Sequence, residues 1–154
     1  TSLGGRGRYI ARAWGALMPR MTPEEIDAYL RQPYLADLAT VRADGSPHVA
    51  PVWHHYDGEK LMVLAEPHAV KIRNIRHDPR VSASIPTESA PHGYVQVNGT
   101  ATVSSEWDRE LLWAMSINYQ GREEGERYAE KTFRESEFLL ITVTPTKMHG
   151  WLFM

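Results

Sequence analysis

The sequence predicts a mainly β chain, an antiparallel barrel of six to seven strands with helices packed outside it. Three observations carry that expectation. Runs rich in β-branched and aromatic residues recur along the chain. Asp44-Gly45 and Asp57-Gly58 stand between such runs, and these dipeptides tolerate the positive φ of tight hairpins. Helical periodicity is confined to the start, one short insert and one excursion before the last strands, and a barrel leaves no exposed sheet edges.

A chain of 154 residues suits one domain, burying roughly two thirds of the surface that its unfolded form exposes. We divide it into an N-terminal arm or helix over 1–21 and a barrel domain over 22–154. The arm, "TSLGGRGRYIARAWGALMPRM", has no acid before Glu24. It spaces Tyr9, Ile10, Ala13, Trp14 and Leu17 on one helical face. It lacks the uninterrupted apolar stretch of a secretory signal and reads as a structural piece packing on this or a partner subunit.

In "MTPEEIDAYL", Thr22 is placed to cap a helix, Pro23 suits its first turn, and Glu25 completes a capping box. The helix should end near Pro33. "YLADLATVRADGSPHVAPVWHHYDGEKLMVLA" then reads as a meander of three strands joined at the two Asp-Gly turns. Next comes "EPHAVKIRNIRHDP", where Pro67 precedes Ile72 and Ile75, three apart, and Asp78-Pro79 stops a short helix. Strands resume with "RVSASIP" and "GYVQVNGTATVS". Trp107, Leu111, Met115 and Tyr119 have helical spacing, and "EEGERYAEKTF" continues as a second, charged helix after Gly121. The closing "FLLITVTPTKMHGWLFM" should complete the sheet.

Seventeen Lys and Arg against nineteen Asp and Glu give a formal charge of -2, which argues against nucleic-acid binding by overall field. No run approaches the roughly eighteen apolar residues of a membrane span. With no cysteine in the chain, thiol nucleophiles and disulfides drop out, and the cytoplasm is the expected compartment.

Seven histidines invite a metal site. Adjacent His54 and His55 should point to opposite faces of a strand. His48 shares a face with His54 but would stand about 20 Å along the same strand. No HExxH or acid-rich spacing occurs elsewhere, so no metal is expected. The serines lack a nucleophile-elbow motif. "HAVKIRNIRHD" is more informative, because free backbone N–H groups of a helix's first turn combine with Lys71, Arg73 and Arg76 into a phosphate cradle, or else form a solvated basic face. Asn74 is free to bond a neighbouring loop. In "VAPVW", Pro51 removes a ladder donor from its strand and places it at an edge or bulge. Backbone groups left unpaired there could read the edge of a planar heterocycle, or the edge could pack on a second subunit.

The ordered runs "LATVRADGSPHVAPVW", "DGEKLMVLA", "KIRNIRHDPRVSASI", "YVQVNGTATV" and "PTKMHGW" resemble the pyridoxamine 5'-phosphate oxidase-like split-barrel family, over about Pro23 to Trp151. The resemblance is closest to the branch that uses the deazaflavin coenzyme F420. It implies a homodimeric antiparallel split β-barrel with flavin-type cofactors at the subunit interface. By this resemblance Val49, Ala50, Pro51, Val52 and Trp53 match the strand that lines the cofactor ring, and His54 its last position. Leu64 and Ala65 match the end of the next strand, beside the ribityl chain. Val70 and Lys71 match the phosphate-binding pair, Arg73 and Trp151 are further carry-overs, and Tyr94 matches a residue supplied by the second subunit. Two departures point away from vitamin-phosphate oxidation. Val70 stands where those oxidases carry a basic residue, and no Arg-bearing motif follows "GWLFM".

The expected function is therefore an F420-dependent oxidoreductase that transfers a hydride between its cofactor and a small conjugated organic substrate. FMN in the same barrel is the alternative cofactor, and a non-catalytic flavin- or haem-related binding protein the alternative class. No catalytic side chain is assigned; His54, His55, His92 and Tyr94 are the nearby titratable groups.

Overall fold

The computed structural model describes residues 19–152. Among them seven strands form one antiparallel sheet, and four helices stand outside it. The strands are β1 (Ala36–Val41), β2 (Pro47–Val52), β3 (His55–Tyr56), β4 (Leu61–Ala65), β5 (Arg80–Pro86), β6 (Gly93–Ser104) and β7 (Leu139–Leu152). The helices are α1 (Pro23–Leu30), α2 (Val70–His77), α3 (Arg109–Gln120) and α4 (Arg122–Glu135).

The sheet order is β2-β1-β5-β6-β7-β4-β3, so β2 and β3 are the two outer edges although only Trp53 and His54 separate them in the chain. Three peptide steps span no more than about 11 Å. The sheet must therefore curl until its edges face each other across those two residues, which makes a split barrel rather than a fully laddered one. Alternate residues of the strands fill its inside, with Leu38, Ile85, Val95, Val97, Ile141 and Val143 almost wholly buried.

The stretch from Pro47 to Tyr56 is not the middle strand of a three-strand meander but two strands on opposite edges, β2 paired with β1 and β3 with β4. The break falls where Trp53 stacks on Tyr119 at 4.9 Å and the His54 amide donates to the Tyr119 hydroxyl at 3.1 Å, tertiary contacts that replace a strand's own ladder. The continuous strand assumed between His48 and His54 therefore does not exist. Among the described residues, no three His, Asp or Glu side chains group as a metal site would need.

The other elements follow their sequence signals. Thr22 caps α1 in a full capping box with Glu25, and Leu30 at its end is buried against the sheet. α2 buries Ile72 and Ile75, and its buried Asn74 donates to the Thr40 hydroxyl on β1 at 3.0 Å, so its partner is a strand rather than a loop. β2 is an edge, as Pro51 implied, and none of its residues is buried. α3 buries Leu112, Met115 and Ser116; of the residues with helical spacing, Met115 is buried, Leu111 and Tyr119 are half-buried, and Trp107 precedes the helix. β7 joins β6 to β4, with a register irregularity at Asn98/Gly99.

Of the N-terminal arm, Pro19–Met21 run beside the end of β7. Met21 N–H donates to the Gly150 carbonyl at 2.8 Å, and Leu152 N–H to the Pro19 carbonyl at 3.2 Å. The helix expected around Tyr9 to Leu17 lies outside the described residues. No described helix is long and apolar enough to cross a membrane.

Candidate functional site

Where β2 ends and the chain leaves for β3, a cleft of about 360 Å³ opens between the sheet and the helices. Pro51, Val52 and Trp53 form one wall, and Leu64 and Ala65 from the end of β4 form another. Glu66, Ala69 and Lys71 line the end where α2 begins, and the helices add Leu112, Met115 and Tyr128.

The helix start at this end is chemically distinct. α1 and α3 have side-chain caps from Thr22 and Asp108, whereas Ala69 before α2 and Gly121 before α4 offer none, and of these two only α2 has no acid in its first turn, where α4 carries Glu123 and Glu124. The first backbone N–H groups of any helix have no partner within it. At α2 these groups lie beside Lys71, without any acid in the first turn, and Glu66 is the one carboxylate among the described residues that lines this end of the cleft. The helix start and Lys71 favour an anion, which Glu66 opposes. The rest of the cleft is mostly apolar and aromatic. Such a site suits a flat, weakly polar ring attached to an anionic group.

Six of the sequence-selected residues meet in this cleft: Pro51, Val52, Trp53, Leu64, Ala65 and Lys71. Val49 and Ala50 lie upstream on β2, with Val49 63% exposed. Val70 opens α2 but is not in the lining. Arg73 is placed elsewhere, in a second groove with Arg42, Asp44, Asn74 and His77. Tyr94 stacks on Trp151 at 5.0 Å and lines a shallow groove with Ser84, Pro86 and His92, away from the cleft of its own chain. The residues that sequence reasoning did not select are Glu66, Ala69, Leu112, Met115, Tyr128 and Phe138. Helical spacing had marked Met115 as apolar, but which surface it would cover depends on how α3 packs.

His54 does not line the cleft. It is 2% exposed, and its Nε2 lies 2.8 Å from the Leu30 carbonyl, which requires a proton on that nitrogen. On its other side, the Tyr119 hydroxyl has one proton and two acceptors, the Tyr34 carbonyl at 2.8 Å and His54 Nδ1 at 3.1 Å. Burial pushes the Tyr119 phenol up to about 12, so it stays protonated at neutral pH. His55 lies on β3 and shares with His54 a separate hollow lined by Arg31 and Asn118.

Burial holds the His54 pKa below its usual 6.5, against the opposing pull of the Leu30 carbonyl. Below about pH 6.5 the unfolded chain takes up a proton that folded His54 resists, so this stability is complete above that pH and is lost as pH falls. Urea melts between about pH 7.5 and 5 should therefore show an acid-side loss of stability that is shallower in His54→Gln. Equal slopes in the two proteins would remove His54 as its source.

The family model described as pyridoxamine 5'-phosphate oxidase matches residues 22–152. Among solved structures, a conserved hypothetical protein of Mycobacterium tuberculosis, Rv2991, superposes with a TM-score of 0.71 at 23% identity, over 89% of this chain and 88% of that one. An F420 reductase superposes with a TM-score of 0.64 at 26% identity, over 79% of this chain and 94% of that one. The haem storage protein HutZ of Vibrio cholerae gives 0.62 at 23% identity, over 81% and 91%.

Proposed function

The chain belongs to the pyridoxamine 5'-phosphate oxidase family, and from that premise we propose that it is a homodimeric oxidoreductase dependent on the deazaflavin coenzyme F420, acting on a small conjugated organic molecule. Flavin-type cofactors are general in this family. The observation that carries the reading is the joining, in one cleft, of Pro51, Val52 and Trp53 with Lys71 at a helix start that no side chain caps. A ring held along the first and a phosphate at the second account for both ends of the cleft. The likeness to an F420 reductase at 26% identity favours the deazaflavin over FMN.

When bound, the cofactor supplies the hydride chemistry. The chain's own residues do the rest. Lys71 and the α2 amides hold the anionic end, Val52, Leu64 and Ala65 exclude water from the ring's side, and Trp53 limits the plane that the ring can take. A second copy completes the site in this reading. β2 has no buried residue and exposes Val49, and Tyr94 stands away from its own chain's cleft, where a partner's cofactor can use it.

A titration of the purified protein with F420 and with FMN tests the proposal. F420 should bind in the micromolar range or tighter, with about a tenfold preference over FMN, equivalent to about 1.4 kcal/mol. Tighter FMN binding would transfer the function to a flavin-dependent oxidoreductase, and binding of neither would end the enzyme reading.

A further inference from the structure

Trp53 belongs to no strand, so no ladder fixes its backbone, yet it forms a wall of the cleft. Its indole is flanked by two tyrosines from different helices. Tyr119 of α3 lies parallel to it, with ring centroids 4.9 Å apart and planes 3° apart. Tyr128 of α4 meets it at 5.4 Å and 56°. Tyr128 is 41% exposed, whereas the hydroxyl of Tyr119 is tied at three points. It donates to the Tyr34 carbonyl at 2.8 Å, accepts from the His54 amide at 3.1 Å, and faces His54 Nδ1 at 3.1 Å.

These ties reach parts of the chain remote from α3. Tyr34 leads into β1, and His54 is held in turn by the Leu30 carbonyl at the end of α1. A tyrosine needed only to cover an indole could satisfy its hydroxyl with water. This one is anchored to the segment that carries the indole, because His54 directly follows Trp53. Stacked rings at this separation resist tilting, since an offset parallel arrangement is an energetic preference of aromatic pairs.

We propose that Tyr119 is a positioning residue, whose anchored ring sets the plane of the Trp53 indole and thereby the plane of the aromatic heterocycle that the cleft accepts. The inference rests on the reading of the cleft as a ring-binding site, and it extends that reading to a residue that does not line the cleft. Tyr119→Phe keeps the ring and removes the anchor. Tyr119→Leu removes both.

The test uses full-length protein carrying 5-fluorotryptophan. Five tryptophans are present, and the fluorine resonance of Trp53 is assigned by its loss in Trp53→Phe. In the absence of ligand, Tyr119→Phe should shift or broaden the Trp53 resonance and leave those of the distant tryptophans in place. In parallel titrations with F420 and FMN, Tyr119→Phe should weaken the bound coenzyme about threefold to tenfold, and Tyr119→Leu should weaken it further. An unmoved Trp53 resonance in Tyr119→Phe overturns the inference. A moved resonance with affinity unchanged overturns its second half, the step from indole to ligand. If wild-type protein binds neither coenzyme, the cleft reading fails, while the ligand-free resonance still decides whether Tyr119 orients Trp53. Because Tyr119→Phe removes a single oxygen, it serves as the deciding variant should Tyr119→Leu fail to fold.

Discussion

Replacing Lys71 by alanine should weaken coenzyme binding by about 1.5 to 3 kcal/mol, roughly tenfold to 150-fold. The expectation follows from position. Lys71 lies in the first turn of α2 and lines the cleft at the end where Ala69 leaves the helix without a side-chain cap. The backbone N–H groups remain in the variant, so part of the anion site persists, and the loss should stay within the range of one charge-assisted contact. Arg73→Ala provides the comparison. Arg73 is exposed in a different groove, and its removal should change affinity only through the long-range field, an effect that salt screens. Titrations at two ionic strengths separate the cases: the Lys71→Ala loss should largely survive added salt, and any Arg73→Ala loss should shrink. Equal losses from both variants would place the anionic group nearer the second groove and displace the phosphate assignment.

The parts of this fold that were legible in the sequence are those governed by local chemistry. The capping box at Thr22 and Glu25, the stop at Asp78-Pro79, and the limits of β5 and β6 are determined by residues within a few positions of each other. The break at Trp53 and His54 was not legible, because Val-Trp-His-His-Tyr has strong strand propensity. What interrupts it is Tyr119, sixty-five residues from His54. The same limit divides the cleft. Its β2, β4 and α2 residues were found by order and resemblance, since those elements follow each other in the chain. Leu112, Met115 and Tyr128 enter it only through the packing of α3 and α4, which no spacing within either helix determines. His54 is the sharpest case: adjacent in sequence to the segment that lines the cleft, it is turned into the interior to hold the end of α1.

That packing of α3 on α4 yields the prediction with the largest effect on stability. Gly125 is buried within α4, and a Cβ built on it would lie 2.5 Å from Ile117 Cα, 2.6 Å from Ile117 N and 2.6 Å from the Ser116 carbonyl oxygen. All three are backbone atoms of α3, so no side chain can rotate away and the helices themselves must separate. Gly121 differs in kind: its φ of 84° requires glycine or a strained residue, but a Cβ there would meet nothing within 4 Å. At Gly125 the constraint is space. A glycine inside a helix costs about 1 kcal/mol relative to alanine, so Gly125→Ala regains part of what its clash loses. Gly125→Val does not, because its branched side chain adds volume at the closest point. We expect Gly125→Val to destabilise the protein by about 3 kcal/mol, lowering Tm by about 6 to 12 °C for a chain of this size, with Gly125→Ala between it and the wild type. Because α3 carries Leu112, Met115 and Tyr119, and α4 carries Tyr128, spreading the helices should also weaken coenzyme binding below the melting range. Thermal melts and coenzyme titrations of the same variants check both effects. A Gly125→Val protein with unchanged Tm would show that the two helix backbones have room between them, and the tight helix contact behind the cleft would have to be given up.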